Sequence, residues 1–420
     1  MPQIPASPPK TIPTRADDER AAFRQSRQVV RKRVLANRLI VTSIQHRHDQ
    51  PRQDKPRQRI LINRPAVQNE MRCRVNVRAG VRPQAQLRHA PRRFHFRRVE
   101  ARLRVAGIIR HPVFNTMAEV VKQSHALIEY VILRTVASAM NLPPPVVNFC
   151  RANGYGEIRN SRALGGGCIN NASRLDTDNG SLFLKVYTSA PPDMFEREAE
   201  GLVALAAPKA IRVPAVLCFG ADFILQEYIE PALRRSDFWE TLGAQLAALH
   251  SVTSPQFGFD HDNYIGATPQ INTWEEDGYG FFGEHRLRYQ ADLARRNRLL
   301  DPADLRRIDS LIARLPELIP AQPASLIHGD LWSGNIHTGP QGEPALIDPA
   351  AHYGWAEAEL AMMTLFGAVP SAFFRAYESV RPLAPHYTER FDLYNLYHLL
   401  NHLNLFGESY AGSVRTILRR

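Results

Sequence analysis

The chain has 420 residues, 44% of them hydrophobic, enough to bury a core in at least one of two or three domains. Its formal net charge of +12 is unevenly held: Lys+Arg outnumber Asp+Glu by 29 to 9 in residues 1–139, net +20, and are outnumbered by 24 to 32 in residues 140–420, net −8. The larger, mildly acidic part makes no electrostatic case for nucleic acid, and Cys73, Cys150, Cys168 and Cys218, spaced for neither a zinc site nor a disulfide framework, point to a reducing, cytoplasmic setting.

Residues 1 to about 117 scatter Arg and Pro without sustained helical or strand periodicity. A disordered basic arm touching RNA or anionic surfaces, or a targeting extension, would be functional readings. The plainer expectation is that residues 1–139 are a disordered or non-native extension and that Met140 is the true start. Pro2, Pro5, Pro8, Pro9 and the acidic trio Asp17-Asp18-Glu19 leave no apolar stretch for a secretory signal. The most apolar run, Ala126–Met140, is broken by Glu129 and Arg134 and falls short of the ~20 residues a membrane span needs.

From Val146 the texture changes. Val146, Val147, Phe149 and Cys150 make an apolar helical face ended by Gly154 and Gly156. Ile158–Leu164 and Ile169–Asp176 read as antiparallel strands joined through Gly165-Gly166-Gly167-Cys168, and Asp178-Asn179-Gly180 turns into a third strand, Ser181–Tyr187, on which Lys185 shares a face with Phe183 and Tyr187. After Pro191-Pro192-Asp193 the spacing predicts an amphipathic helix over Met194–Ala206 carrying Glu196, Glu198 and Glu200. Val213–Phe219 and Phe223–Tyr228 complete five strands with one helix. Mostly helical patterns follow: Asp237–His250, Trp274–Asn297, Pro302–Leu315, and Trp355 onward. The fold expected is α+β and two-lobed, a small antiparallel N-lobe and hinge over residues 140–229 and a large helical C-lobe over 230–420.

Within that C-lobe, Ser325–Ala351 gathers the residues of most chemical interest. A short apolar run delivers His328-Gly329-Asp330, Asn335 follows, and a second run, Ala345 to Ile347, delivers Asp348. Phosphoryl transfer from ATP requires a cover and a cation for the phosphates, oxygen ligands for Mg²⁺, and a carboxylate to orient the attacking hydroxyl. Gly165, Gly166 and Gly167 can supply the cover, because residues without Cβ let backbone N–H groups approach an anion, although such runs are commonly plain turns. Lys185 suits the cation with Glu198 as its partner, Glu196 and Glu200 being the competing carboxylates. Asp330 suits the base, and Asn335 and Asp348 the metal. Asp-x-x-x-x-Asn matches the spacing of a kinase catalytic loop, while His328-Gly329-Asp330 lacks the usual arginine, pointing to a small-molecule kinase. Trp332, beside Asp330, either lines the substrate pocket with Ser333 or belongs to the core. Cys168 is either a redox-sensitive thiol at the phosphate loop or simply a small residue.

Residues 140–420 resemble the fructosamine kinase (ketosamine-3-kinase) family, itself similar to aminoglycoside phosphotransferases. The resemblance rests on Gly-Gly-Gly-Cys-Ile-Asn at 165–170, Phe-Leu-Lys-Val at 183–186, Met-Phe-Glu-Arg-Glu at 194–198, Leu-Gln-Glu-Tyr at 225–228, Asn-Tyr-Ile-Gly at 263–266, Trp274 with Phe281-Phe282 and Arg286-Leu287, His-Gly-Asp-Leu-Trp-Ser-Gly-Asn at 328–335, Asp-Pro-Ala at 348–350 and Asn-Leu-Phe-Gly at 404–407. It implies a protein-kinase-like fold with adenine held at the backbone of the Gln226 to Ile229 hinge, with Gln226, Glu227 and Tyr228 as its cofactor-binding residues. The implied reaction transfers the ATP γ-phosphoryl group to the 3-hydroxyl of a sugar attached to a lysine amine, a deglycation or repair activity. Glycated lysine adducts would be the partners, and a homodimer is the assembly it suggests. Glu359 departs from the family, which more often has Asp there, and is expected to serve as a hydrogen-bond acceptor to the catalytic loop. Residues 1–139 resemble nothing in the family. Another small-molecule kinase of the same fold, acting on an aminoglycoside, choline or an amino-alcohol, is the competing reading.

Overall fold

Strand alternation sets the first layer of the molecule, for which the computed structural model describes residues 142–165 and 171–419; the extension expected over 1–139, like Gly166, Gly167 and Cys168, lies outside those residues. β1 (Ile158–Leu164), β2 (Asn171–Thr177), β3 (Gly180–Val186), β4 (Val216–Phe219) and β5 (Phe223–Glu227) form one sheet in the order β1-β2-β3-β5-β4, every neighbouring pair antiparallel. Period-2 geometry sends Leu182 and Leu184 to the face covered by Val146, Phe149 and Cys150 of α1 (Pro144–Ala152). On the other face, Phe195, Ala199 and Leu202 of α2 (Met194–Ala206) pack on Phe219 and Ile224. Two helices thus sandwich the sheet: the helical face read at Val146–Cys150 joins the N-lobe beside the one helix expected there.

The C-lobe is built on α3 (Phe238–His250), α4 (Pro302–Ala313), α5 (Ala356–Leu365), α6 (Ser371–Val380), α7 (Phe391–Phe406) and α8 (Ala411–Ile417). α3 and α6 approach so closely that a Cβ on Gly243 would run into the carbonyl oxygen of Phe373. α7 is buried on most sides and therefore lacks a clean polar face. The helix expected from Trp274 begins only at Gly278, where Asp277 accepts from the N–H groups of Tyr279 and Gly280 at 3.0 and 2.9 Å. It runs on through a π-helical segment, Gly283–Arg288, to Tyr289–Arg296.

Short strands interrupt this helical lobe. β6 (Thr253–Ser254), β9 (Ala324–Ile327) and β12 (His352–Gly354) form a three-stranded sheet in the order β12-β9-β6, β7 (Asn263–Ile265) pairs with β8 (Thr268–Gln270), and β10 (Ile336–Thr338) pairs with β11 (Pro344–Leu346). Runs of two to four residues are too brief to show alternation, so most of them carry no strand signal in the sequence. Together β9, β10 and β11 hold the loop that carries Asp330, Asn335 and Asp348.

Candidate active site

Lys185 leaves β3 toward α2 and is 5% exposed. Its ammonium lies 2.9 Å from Glu198 Oε1 and 2.8 Å from Asp348 Oδ1, so one cation ties the sheet, α2 and the end of the catalytic segment together. Burial alone would pull its pKa down, but the attraction of Asp348 and Glu198 outweighs it and holds the ammonium charged above the usual lysine range. The two competing carboxylates turn elsewhere on the helix: Glu196 and Glu200 lie 3.3 and 2.7 Å from Arg197. Gln226 Nε2 donates to Glu198 Oε1 at 2.9 Å, giving that oxygen a second donor.

The side chains of Gln226 and Glu227 are therefore engaged within the N-lobe. Both lie within β5, opposite Phe183 and Leu182, and the Glu227 carboxylate accepts from Arg212 Nη2 at 2.6 Å and from the Ala215 N–H at 3.2 Å. Arg212 also donates to Glu343 at 2.9 Å, which makes it a strut between the hinge and the β10–β11 hairpin. Beyond the strand, Tyr228 lies beneath the Arg174 guanidinium, 4.6 Å from ring centre to Cζ, and the Ile229 carbonyl accepts from His337 Nε2 at 3.0 Å. Gly165 stands at the end of β1, at the mouth of the β1–β2 connection.

The catalytic segment is locked by backbone and histidine contacts. His328 Nε2–H donates to the Ile347 carbonyl at 2.8 Å while its Nδ1 accepts from the Asp330 N–H at 3.3 Å, a neutral tautomer that burial favours by lowering the histidine pKa. The Ala350 N–H donates to the His328 carbonyl at 2.9 Å. Gly329 has φ +85°, and a Cβ there would strike the Ala350 carbonyl, which explains why the loop has glycine where kinase loops carry arginine. Asp348 is held at φ +57°, an uncommon conformation for a residue with a side chain and one that often marks functional positions.

Asn335 Nδ2 donates to the Asp330 carbonyl at 2.7 Å and approaches Asp330 Oδ2 at 3.4 Å. That assignment leaves Asn335 Oδ1 as the atom available to a cation. Asp348 adds carboxylate oxygens, and two hard donors completed by water and phosphate oxygens suit Mg²⁺. Burial and the nearby charge of Asp348 push the Asp330 carboxyl up to about 8, a range suited to accepting a proton. Ser333 is exposed on the turn Ser333–Asn335. Trp332 is half-buried rather than core, edge-on to the partly exposed Phe366 at 6.1 Å. Phe366 lies 4.9 Å from His402, and His402 5.4 Å from Phe406, so the aromatic surface continues outward.

Glu359 does what the sequence suggested and something it did not. Its Oε1 accepts from the Gly329 N–H at 2.7 Å, and its Oε2 from His250 Nε2 at 2.8 Å, while His250 Nδ1 meets the Tyr377 hydroxyl at 2.8 Å. His250 and Tyr377, on α3 and α6, carry no local motif, and only the folded arrangement brings them behind the loop.

A strand lysine bridged to a helix carboxylate, above a loop whose Asp and Asn sit five residues apart, is the arrangement of the protein-kinase-like phosphotransferases, and this chain is of that class. The chain belongs to the fructosamine kinase family, whose model, described as fructosamine kinase, matches residues 149–420. It is 42% identical over 272 residues to a protein of Synechocystis sp. described as a probable ketoamine kinase, covering 63% of this chain and 90% of that one. To the chloroplastic protein-ribulosamine 3-kinase of Arabidopsis thaliana it is 44% identical over 272 residues, covering 62% and 82% respectively. A crystal structure from Thermobifida fusca described as a putative fructosamine-3-kinase superposes with a TM-score of 0.60 at 31% identity, covering 66% of this chain and 99% of that one.

Proposed function

We propose that the protein transfers the γ-phosphoryl group of ATP to the 3-hydroxyl of ketosamines, the fructosamine or ribulosamine adducts formed on lysine by glycation. The observation that carries the phosphotransfer reading is Lys185 held charged between Glu198 and Asp348, at the entrance to a loop bearing Asp330 and Asn335. Family membership and the names of the relatives carry the acceptor class. Residues 140–229 then serve as N-lobe and hinge and 230–420 as C-lobe, in a cytoplasmic protein acting alone or as a homodimer. No helix among the described residues is long and apolar enough to cross a membrane.

Each residue has a defined task in this reading. Gly165, Gly166, Gly167 and Cys168 cover the phosphates, Lys185 fixes the α- and β-phosphates, and Glu198, steadied by Gln226, fixes Lys185. The hinge around Tyr228 receives the adenine. Asp330 accepts the proton of the sugar hydroxyl as its oxygen bonds to the γ-phosphorus and the bond to ADP breaks. Asn335 and Asp348 would hold Mg²⁺, which when bound would neutralise phosphate charge. Trp332 and Ser333 flank the acceptor, and the apolar ring of Trp332 suits the aliphatic stem of a glycated lysine. The phosphorylated adduct is unstable and leaves the amine, so the outcome is repair.

A panel assay of ATP turnover tests this. Fructoselysine and ribuloselysine are expected to support turnover and aminoglycosides, choline and amino-alcohols not to, with Asp330→Asn lowering the ketosamine rate by about 10²- to 10⁴-fold. Turnover on an aminoglycoside with none on either ketosamine would overturn the acceptor assignment while leaving the kinase class in place.

A further inference from the structure

The aromatic surface that begins at Trp332 runs away from the catalytic loop across the ends of two helices. The Trp332 N–H donates to the Asp330 carbonyl at 3.2 Å, and its indole lies against the turn carrying Asn335, where a Cβ on Gly334 would strike the ring. Phe366, 38% exposed, ends α5 and meets Trp332 edge-on at 6.1 Å. His402 and Phe406, spaced i and i+4, share one face of α7 with ring centres 5.4 Å apart, and Phe366 lies 4.9 Å from His402. Past Phe406, which is 48% exposed, Gly407 turns the chain at φ +84°, and Tyr410 comes back to 5.2 Å from His402 and 6.2 Å from Phe406. Single exposed apolar side chains are ordinary on a protein surface, but a contiguous run of rings that starts beside the Asp330 loop marks a contact surface.

The chemistry of this surface selects its occupant. His402 Nδ1–H donates to the His398 carbonyl at 2.7 Å, which leaves Nε2 as the acceptor of a neutral ring. Burial lowers the His402 pKa and the His398 carbonyl is the one opposing influence, so among the described residues no charge stands close enough to move it. Sugar hydroxyls would give up hydrogen bonds to water against such rings without recovering them, and the α-carboxylate of a free lysine adduct would find no cation to pair with. A lysine inside a polypeptide replaces that carboxylate by a neutral amide and brings neighbouring side chains, which lose nothing on aromatic rings when they are apolar. We propose that the surface from Phe366 to Phe406 docks the polypeptide around the glycated lysine and favours apolar residues beside the modified one, with Trp332 over the lysine stem. The proposal rests on the ketosamine reading above. Because the surface lies outward of the reacting atoms, it serves substrate binding and sets KM more than kcat.

Steady-state kinetics with the full chain, ATP and Mg²⁺ test this on short peptides that carry one fructoselysine or ribuloselysine flanked on both sides by Leu, Gly or Asp. The Leu peptide should exceed the Gly peptide in kcat/KM by about tenfold, the difference lying in KM, and the Asp peptide should be the poorest. Phe406→Ser, at an exposed position where substitutions cost little stability, should bring the Leu-to-Gly ratio to within about twofold, and Phe406→Leu should keep most of it. Phe366→Ser should act in the same direction as Phe406→Ser. Equal kcat/KM for the Leu and Gly peptides, or a ratio unchanged in both Ser variants, would overturn the proposal. So would a parent dimer that Phe406→Ser dissociates without altering the ratio, since a second copy would then occupy the surface. Absence of turnover on every ketosamine, the Gly peptide included, would overturn it together with the acceptor assignment, an outcome distinct from equal turnover of all three peptides.

Discussion

Replacing Glu359 probes the support of the catalytic loop from behind. Glu359 and His250 are both fully buried, and the carboxylate is held below the usual range because its contacts with His250 and the Gly329 N–H outweigh a burial that alone would raise it. Glu359→Ala strands the Gly329 N–H and the His250 Nε2–H, each an unsatisfied buried donor costing about 1–3 kcal/mol, and it leaves a void as well. The sum is about 3–6 kcal/mol, a large share of the roughly 5–15 kcal/mol that stabilises a folded domain. Glu359→Gln behaves differently. Its amide oxygen can still accept from Gly329, and its NH₂ can donate to His250 Nε2 if the imidazole moves its proton to Nδ1, facing the Tyr377 hydroxyl 2.8 Å away. That variant loses only the charge assistance, about 1–2 kcal/mol. Glu359→Asp is one methylene short and can keep one contact, so it should fall between the two. Urea unfolding at constant m-value, with kcat/KM on the ketosamine, measures the series. An Ala variant within 1 kcal/mol of the parent, or a Gln variant as damaged as Ala, would refute this account of the support.

Gly329→Ala forces a side chain into φ +85° and against the Ala350 carbonyl, and a loss of about 3 kcal/mol or more in stability is expected by denaturant titration, with activity reduced more than tenfold. Gln226→Leu removes the second donor to Glu198, and steady-state kinetics should show kcat/KM for ATP lowered by about 3- to 10-fold with the fold intact. The buried histidines His250, His352 and His398 have lowered pKa values, largely through burial, so between about pH 6.5 and their folded values the unfolded chain binds more protons and stability must fall as pH falls. Each fully titrating histidine contributes about 1.4 kcal/mol per pH unit, while Asp330 and Glu198, whose pKa values are raised in the fold, contribute with the opposite sign. In Asp330→Asn, where one opposing group is gone, urea midpoints should therefore drop more steeply from pH 7.5 to pH 5.5 than in the parent, and a flat profile in that variant would contradict the neutral assignment.

Much of this molecule was readable before folding was considered, for identifiable reasons. The N-lobe strands are marked by the turn residues that bound them more than by alternation, since β4 passes from half-buried to buried and β5 is buried at every residue but its last. α2 runs over Met194–Ala206 as its apolar spacing and Pro-Pro-Asp lead-in predict. Lys185, Glu198, Asp330, Asn335 and Asp348 could be picked out because phosphoryl transfer needs those residue types at those intervals. Choosing Glu198 over Glu196 and Glu200 required the helix to be rotated against the sheet, where Arg197 takes the other two. The side-chain partners of Gln226 and Glu227 were not readable in the sequence, because the pairing of β5 with β3 extends through both and turns them to Glu198 and Arg212, residues distant in the chain. The short C-lobe strands and the His250–Tyr377 support are set by contacts between residues distant in sequence, and neither has a local periodic signal.

Locating the transferred phosphate tests the central claim most directly. A peptide carrying ribuloselysine or fructoselysine, incubated with the full-length protein, ATP and Mg²⁺, should gain one phosphoryl group, assigned by phosphorus–proton NMR to the sugar 3-oxygen, and should then release the free lysine amine. Phosphate on any other hydroxyl, or an unmodified peptide alongside a phosphorylated aminoglycoside or amino-alcohol, would contradict it.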